Sequence, residues 1–477
     1  MNFKMITYVI GWLLTFEAAF MAVPIITAAV YGEVEAWHFV GTAVFCLIIG
    51  RLLTFKKRKN TTLYSRDGFV IVALSWTILS IFGAMPFWLS GAIPNYVDAL
   101  FETVSGFTTT GASILSDVEA LPKCMLMWRS FTHWVGGMGV LVFIMAFLPL
   151  AGGQNMHIMR AESPGPSVSK LVPRVRTTAL ILYAIYFVLT VIEFILLLCG
   201  GMTIFEATNT AFATAGTGGF GFLNSSMGSF SPYIQIVITV FMLLFSINFN
   251  SYFFILLGRF KDAFTTEVRT FLIIVATAIT AITINISPLF ESVGEALRHS
   301  SFTVASLIST TGFSTVDFDL WPEFSKNVLV LIMFIGACAG STGGGIKVSR
   351  IIILFKSLGK ELRTLIHPRE VKKLKIDGHI VEHETLRSVN VYMVSFVLIF
   401  VFSIVAISFD NHDFITNFTA VTATINNIGP GLEMVGPTCN FGFFSIPSKL
   451  VFIFDMLAGR LELFPMLVLF TPATWKK

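Results

Sequence analysis

Four short stretches of this chain have the composition needed to bind a bare cation through backbone oxygen. They read Thr109-Thr110-Gly111-Ala112, Thr217-Gly218-Gly219-Phe220, Thr310-Thr311-Gly312-Phe313 and Asn427-Ile428-Gly429-Pro430. None contains an ionised side chain. Selectivity there must come from carbonyl and hydroxyl dipoles, which argues against a divalent-cation channel built on a carboxylate ring. The glycine lets the chain take φ > 0 and turn its carbonyls inward. Rings of inward carbonyls can replace the water shell of a potassium ion. The candidate ligands are the backbone groups of Thr110, Gly111, Gly218, Gly219, Thr311, Gly312, Ile428 and Gly429. A single Gly-Thr loop is more often an ordinary external turn; four in the same phase of one repeat are not.

Such loops must be held at depth in a membrane. The chain has 477 residues, 55% hydrophobic and only 13% charged, against about 25% charged in soluble domains. Unbroken apolar runs such as 179–198 exclude the short alternating segments of a membrane β-barrel. Ten full spans are expected, at 5–30, 36–55, 68–90, 125–150, 177–200, 231–257, 268–288, 326–356, 387–408 and 446–471. Each candidate loop follows a half-apolar segment of roughly 10–13 residues, too short to cross a bilayer. These read as re-entrant half-helices. Non-helical backbone at that depth must be buried in protein or line a wet cavity. Four such stretches imply one shared cavity, with the partly negative helix ends aimed at it.

The expected fold is thus an all-α polytopic membrane protein. Four span–pore-loop–span repeats stand in a pseudo-fourfold arrangement around one ion pore, plus an N-terminal two-helix hairpin. The division is 1–60 for the hairpin, then 61–155, 156–260, 261–360 with a Gly-rich intramembrane loop, and 361–477 preceded by a cytoplasmic loop. Most Lys and Arg fall in alternate loops, a positive-inside pattern that puts both termini in the cytoplasm. The net charge of +4 is too small to suggest nucleic acid. The five cysteines lack a CxxC spacing and read as free thiols in apolar packing.

Two further features lie within spans. The eighth is interrupted by Gly336, Gly340 and the run Gly343, Gly344, Gly345. Each glycine costs a helix roughly 1 kcal/mol relative to Ala. The segment is either unwound or a site of close helix packing. Gly340–Lys347 superficially resembles a phosphate loop, but Ile346 separates Gly345 from Lys347. Arg460 is the one basic residue well inside the tenth span. It reads as a fixed positive charge beside the pathway or as a partner in an interhelical salt bridge. Lys347 either assists it or snorkels to the inner interface. Glu462 is close in sequence to Arg460, although residues two apart do not face each other on a helix. Glu17 and Glu193 are intramembrane acids without an assigned role.

The phrases TTTGAS at 108–113, ATAGTGGFG at 213–221, STTGFST at 309–315 and GACAGSTGGGIKVSR at 336–350 resemble the Trk/Ktr/HKT superfamily of potassium transporters. The likeness covers nearly the whole chain, and the extra hairpin at 5–55 resembles the bacterial Trk-type subunit. The resemblance implies potassium as the transported ion, since all four filter positions are glycine. It also implies an intramembrane gate at Gly343–Gly345, an Arg460 barrier to cations, and a homodimer in the bacterial inner membrane. It further implies regulation by a cytosolic ring of nucleotide-binding subunits, for which the basic loop 357–386 is the docking surface. That loop carries His379 and His383, one helical turn apart, without a carboxylate or thiol pattern to complete a metal site. Two departures stand out: Gly218 replaces a hydroxyl residue, and Ile428 is followed by Pro430. The runner-up class is less selective sodium/potassium permeation, or ion-coupled secondary transport of the symport type. Its usual inverted repeats are not seen. No HExxH, GxSxG or paired intramembrane carboxylates point to an enzyme, and no segment here binds ATP or another organic cofactor.

Overall fold

The computed structural model describes residues 1–55, 63–139, 175–369 and 373–476. Within them the chain is helical, apart from one two-stranded hairpin that pairs Lys375–Ile376 with His379–Ile380 and an isolated bridge between Ile335 and Ile346. At the N-terminus, the helix Phe3–Phe20 continues as Ala22–Tyr31 and packs against Ala36–Thr54. The crossing is close because it is glycine on glycine. A Cβ on Gly50 would lie 2.7 Å from the Gly11 carbonyl oxygen, and one on Gly11 would lie 2.8 Å from the Leu53 Cβ. Small residues are what let membrane helices approach this closely.

The fourfold repeat is present. Its long first spans are Ser65–Gly83, Val175–Cys199, Thr266–Ile286 and His383–Ile407. Exposed Phe187, Ile195, Leu398 and Phe402 give the second and fourth of these spans apolar outward faces suited to lipid. Each is followed by a short, largely buried half-helix: Tyr96–Phe107, Ile204–Gly216, Val293–Ile308 and Phe414–Ile425. All four half-helices start on a side-chain cap, from Asn95, Thr203, Ser292 and Asp413. That cap satisfies one of the orphan N–H groups of the first turn. At Thr203 it is reciprocal, with Glu206 returning a bond to the Thr203 N–H.

The second helices of the repeats are Lys123–Gly137, Pro232–Ser246, Glu323–Phe334 and Ile446–Arg460, of 15, 15, 12 and 15 residues. At 1.5 Å per residue they reach about 18–23 Å, short of a bilayer core of about 30 Å. None is long enough to cross a bilayer core by itself. Only the third of these breaks was expected. The stretches 231–257 and 446–471 were expected as continuous spans and are not. Pro232–Ser246 meets Phe249–Leu256 at 92°, and Ile446–Arg460 ends where Glu462 and Leu463 take φ of 60° and 65°. The second half of the expected span 125–150 lies outside the described residues. The stretch 357–386 is not wholly a loop either, since the helix Val348–Ile366 runs into it.

Replacing Gly50 with Leu should separate the hairpin helices. Overpacking of this kind costs about 1–3 kcal/mol, which should appear as a lower melting midpoint of the detergent-purified protein. Gly41→Ala, with nothing within 4 Å of its Cβ, should not lower it.

Candidate ion pathway

The four loops share one backbone pattern. One or two residues past the end of each half-helix comes a residue with φ > 0, namely Thr109 (56°), Thr217 (54°), Thr310 (61°) and Asn427 (55°). Two residues later comes a glycine that also has φ > 0: Gly111, Gly219, Gly312 and Gly429. The residue between them donates its N–H five residues back into the half-helix. Thr110 bonds Ser105 O at 2.9 Å, Gly218 bonds Ala213 O at 2.9 Å, Thr311 bonds Ser306 O at 2.8 Å and Ile428 bonds Ala423 O at 2.8 Å. This is a left-handed helix C-cap, usually built on glycine. Thr and Asn pay roughly 1–2 kcal/mol for the same conformation, so all four loops hold local strain.

The glycines close a ring. A Cβ on Gly111 would collide with the carbonyl of Gly218, on Gly219 with that of Thr311, on Gly312 with that of Ile428, and on Gly429 with that of Thr110. Each loop therefore lies against its neighbour in the order first, second, third, fourth, first. The eight sequence candidates come together here. Gly111, Gly219, Gly312 and Gly429 also line a cavity of about 140 Å³ on the return-loop side. Hydroxyls brace the loops: Thr110 bonds Thr108 at 2.8 Å and Thr311 bonds Ser309 at 2.6 Å. Asn427 reaches from the fourth loop to the Thr110 hydroxyl at 2.9 Å and to the Met456 carbonyl at 2.8 Å. At Gly218 there is no room for a side chain, because the His133 imidazole fills it.

Beneath the half-helix ends, residues 336–345 form a non-helical loop closed at its base, where Gly336 N–H bonds Ile346 O at 2.9 Å. A Cβ on Gly343 would come within 2.9 Å of the Ser309 carbonyl oxygen, and one on Gly344 within 2.6 Å of that of Asn426. The glycine run is thus pressed against the ends of the third and fourth half-helices. The Gly344 N–H bonds the Thr310 hydroxyl at 2.7 Å. Lys347 is buried and does not snorkel: its ammonium donates to the carbonyls of Gly343 and Gly344. Arg460 donates to Thr342 O at 2.7 Å on one side, and to Gly136 O at 2.5 Å and Gly137 O at 2.7 Å on the other. Gly343, Gly344, Gly345, Lys347 and Arg460 all line a second cavity of about 80 Å³.

The family is decided by similarity to known proteins. The TrkH family, described as cation transport protein, matches residues 36–477. The chain belongs to the TrkH family. The Trk system potassium uptake protein TrkH of Salmonella typhimurium is 38% identical over 486 residues, which is all of both chains. The Trk system potassium uptake protein TrkG of Escherichia coli K12 is 33% identical and covers 99% of each. The crystal structure of the potassium transporter TrkH from Vibrio parahaemolyticus has 34% identity and a TM-score of 0.90 over the whole of both chains. The TrkH family is one of membrane transporters, not of enzymes.

Several residues of this TrkH-family chain carry weight that the sequence reading did not give them. One oxygen of Glu267 accepts the N–H of Ala339 at 2.8 Å and of Ser349 at 3.0 Å, so it staples both arms of the loop. Glu462 pairs with Arg350, not with Arg460, and Arg350 lies over the Tyr392 ring at 3.8 Å. Arg129 and Glu102 form a buried ion pair at 2.8 Å. Glu102 also accepts from Ile114 N–H at 3.0 Å, and Arg129 donates to Gly221 O at 2.9 Å, which joins the return arms of the first two loops. No sequence spacing announces these partners. His379 and His383 are exposed, and no group of three metal-ligating side chains occurs among the described residues. Glu17 and Glu193 are fully buried. The cysteines are free, with Cys46, Cys124 and Cys338 buried and Cys199 and Cys439 exposed.

Removing one partner of a buried pair leaves an uncompensated charge and costs about 3–5 kcal/mol. Arg129→Met should therefore lower the melting midpoint strongly, and adding Glu102→Gln should recover part of the loss. A double variant no more stable than Arg129→Met would show that the pair does not couple the two loops.

Proposed function

We propose that this chain is the membrane subunit of a potassium uptake system, passing the ion through one channel-like pore. The observation that carries the reading is the closed ring of four positive-φ glycines, each against its neighbour's carbonyl. Thr110, Gly111, Gly218, Gly219, Thr311, Gly312, Ile428 and Gly429 supply backbone oxygen to the ion, in place of its water. The names of the relatives, potassium uptake proteins and a potassium transporter, support potassium as that ion. The chain divides into the hairpin 1–60, outside the repeats, and four pore units at 61–155, 156–260, 261–360 and 361–477. It sits in the bacterial inner membrane with both termini in the cytoplasm.

Gly343, Gly344 and Gly345 act as the gate, held shut by Lys347 and Arg460. A cytosolic ring of nucleotide-binding subunits docks on the basic surface around 357–386 and releases it, and two copies of the chain pair as a homodimer. Support for the gate comes from its place: the loop crosses beneath the ring on bonds that one movement can break. A second reading, permeation of both sodium and potassium, draws on a particular asymmetry. Pro430 lacks an N–H, and Gly218 lacks the hydroxyl of Thr110 and Thr311.

The deciding measurement is uptake of potassium, rubidium and sodium by potassium-starved cells that lack their own uptake systems. The chain should restore growth and favour potassium and rubidium. Gly312→Ser should lower the potassium-to-sodium ratio by roughly tenfold, about 1.4 kcal/mol of discrimination; an unchanged ratio would sink the filter assignment. Arg460→Ala should raise flux through the chain without its regulator. If flux stays the same, Arg460 is a structural residue only.

A further inference from the structure

The second loop lacks a side chain at Gly218, and the first repeat supplies a substitute. His133 sits on Lys123–Gly137, fully buried. A Cβ on Gly218 would overlap its ring, while one on Gly216 would overlap the His133 carbonyl. The helix is wedged against the first half-helix as well, where a Cβ on Gly136 would strike the Phe107 carbonyl. His133 thus stands between the ends of two neighbouring half-helices.

Its two ring nitrogens face opposite needs. Nδ1 lies 2.8 Å from the Gly106 carbonyl of the first half-helix. Nε2 lies 3.2 Å from the Phe220 N–H of the second loop. A carbonyl only accepts and an amide N–H only donates. The hydrogen-bond network therefore assigns the proton to Nδ1 and leaves Nε2 bare, a neutral ring in one tautomer. The Phe220 ring packs against both residues, with the imidazole 4.3 Å from it between centroids and the Arg129 guanidinium 4.1 Å from its centre. Arg129 and His133 are one helical turn apart on the same helix, so one face holds the loop twice.

The Phe220 N–H belongs to the same rigid peptide as the Gly219 carbonyl, and in a trans peptide the two point in opposite directions. Drawing the N–H towards His133 turns the Gly219 oxygen away from it. No such bond is open to the fourth loop, where Pro430 follows the glycine.

We propose that neutral His133 is a specificity-determining positioning residue: it aims the Gly219 carbonyl and replaces, from another repeat, the hydroxyl brace missing at Gly218. The proposal rests on reading the glycine ring as the ion filter. A glutamine amide has one donor and one acceptor at nearly the spacing of the two ring nitrogens. His133→Gln should therefore keep both bonds, whereas His133→Phe keeps the ring and loses both.

The test is the ratio of rubidium to sodium uptake by the full chain in potassium-starved cells, with membrane abundance and melting midpoint measured alongside. The expected result is a roughly tenfold lower ratio for His133→Phe and a ratio near wild type for His133→Gln. A folded His133→Phe protein with an unchanged ratio overturns the proposal. So does a folded His133→Gln protein that loses the ratio, and this variant decides alone where His133→Phe does not accumulate. Gly312→Ser, measured in parallel, separates the two levels. If it lowers the ratio while His133→Phe does not, the filter reading stands and the His133 proposal falls; if neither lowers it, both fall.

Discussion

Backbone polar groups deep in a bilayer have no water to turn to, and this constraint shapes everything at the centre of the molecule. A continuous helix satisfies itself. A pore lined by backbone cannot, because its carbonyls must point at the ion and not at one another. The protein resolves the conflict by letting each repeat satisfy what its neighbours expose. When Pro232–Ser246 ends, the Phe245 and Ser246 carbonyls take N–H bonds from Thr342 and Cys338, and Phe249 N–H reaches Gly340 O. The break in the second repeat and the loop of the third are therefore one feature. The Gly136 and Gly137 carbonyls, at the end of the first repeat's second helix, are taken up by Arg460 from the fourth.

The same constraint explains why the loops can hold strain. Four non-glycine residues at positive φ would relax in an open loop, and cost of this kind persists only where the surroundings over-determine the conformation. Here the half-helices are largely buried, their starts are capped, and the return arms of the first two loops are joined by Arg129 and Glu102. This packing is what keeps the loop carbonyls in place.

The part of this design legible in the sequence is the part written in local pattern. Four glycine-centred stretches in one phase, half-apolar segments before them, and a glycine run in the eighth span are all visible in the residues. The other breaks were hidden for a physical reason. Glu462 and Leu463 adopt positive φ without the glycine that usually marks it, leaving Pro465 as the local signal, and at Ile247-Asn248 the local signal is the Asn248 side chain, which caps the next helix. A hydropathy window registers neither signal, nor the N–H groups of residues 338 and 342 that take up the carbonyls freed at Ser246 and Phe245. The residues whose partners were missed share this cause. Glu267 acts on residues 72 and 82 positions away, and His133 on one 87 away. Each looks like an ordinary span-end acid or a core histidine until the chain is folded.

The bonds of the ring and of the loop beneath it differ in range, and that difference bears on gating. Each C-cap bond runs five residues back within a single repeat. The loop at 336–345 is held by groups from other elements: Thr310, Arg460, Glu267 and the end of Pro232–Ser246. Withdrawing the glycine run would break the Gly344–Thr310 bond and the contacts to Arg460, yet leave all four C-caps intact. A conformational change can travel only where two arrangements are both tolerated. Local caps tie the ring of loops to its own half-helices, while non-local bonds make the position of 336–345 depend on several elements at once. The fold thus allows the glycine loop to move without dissolving the ring above it, because the two are stabilised by bonds of different range.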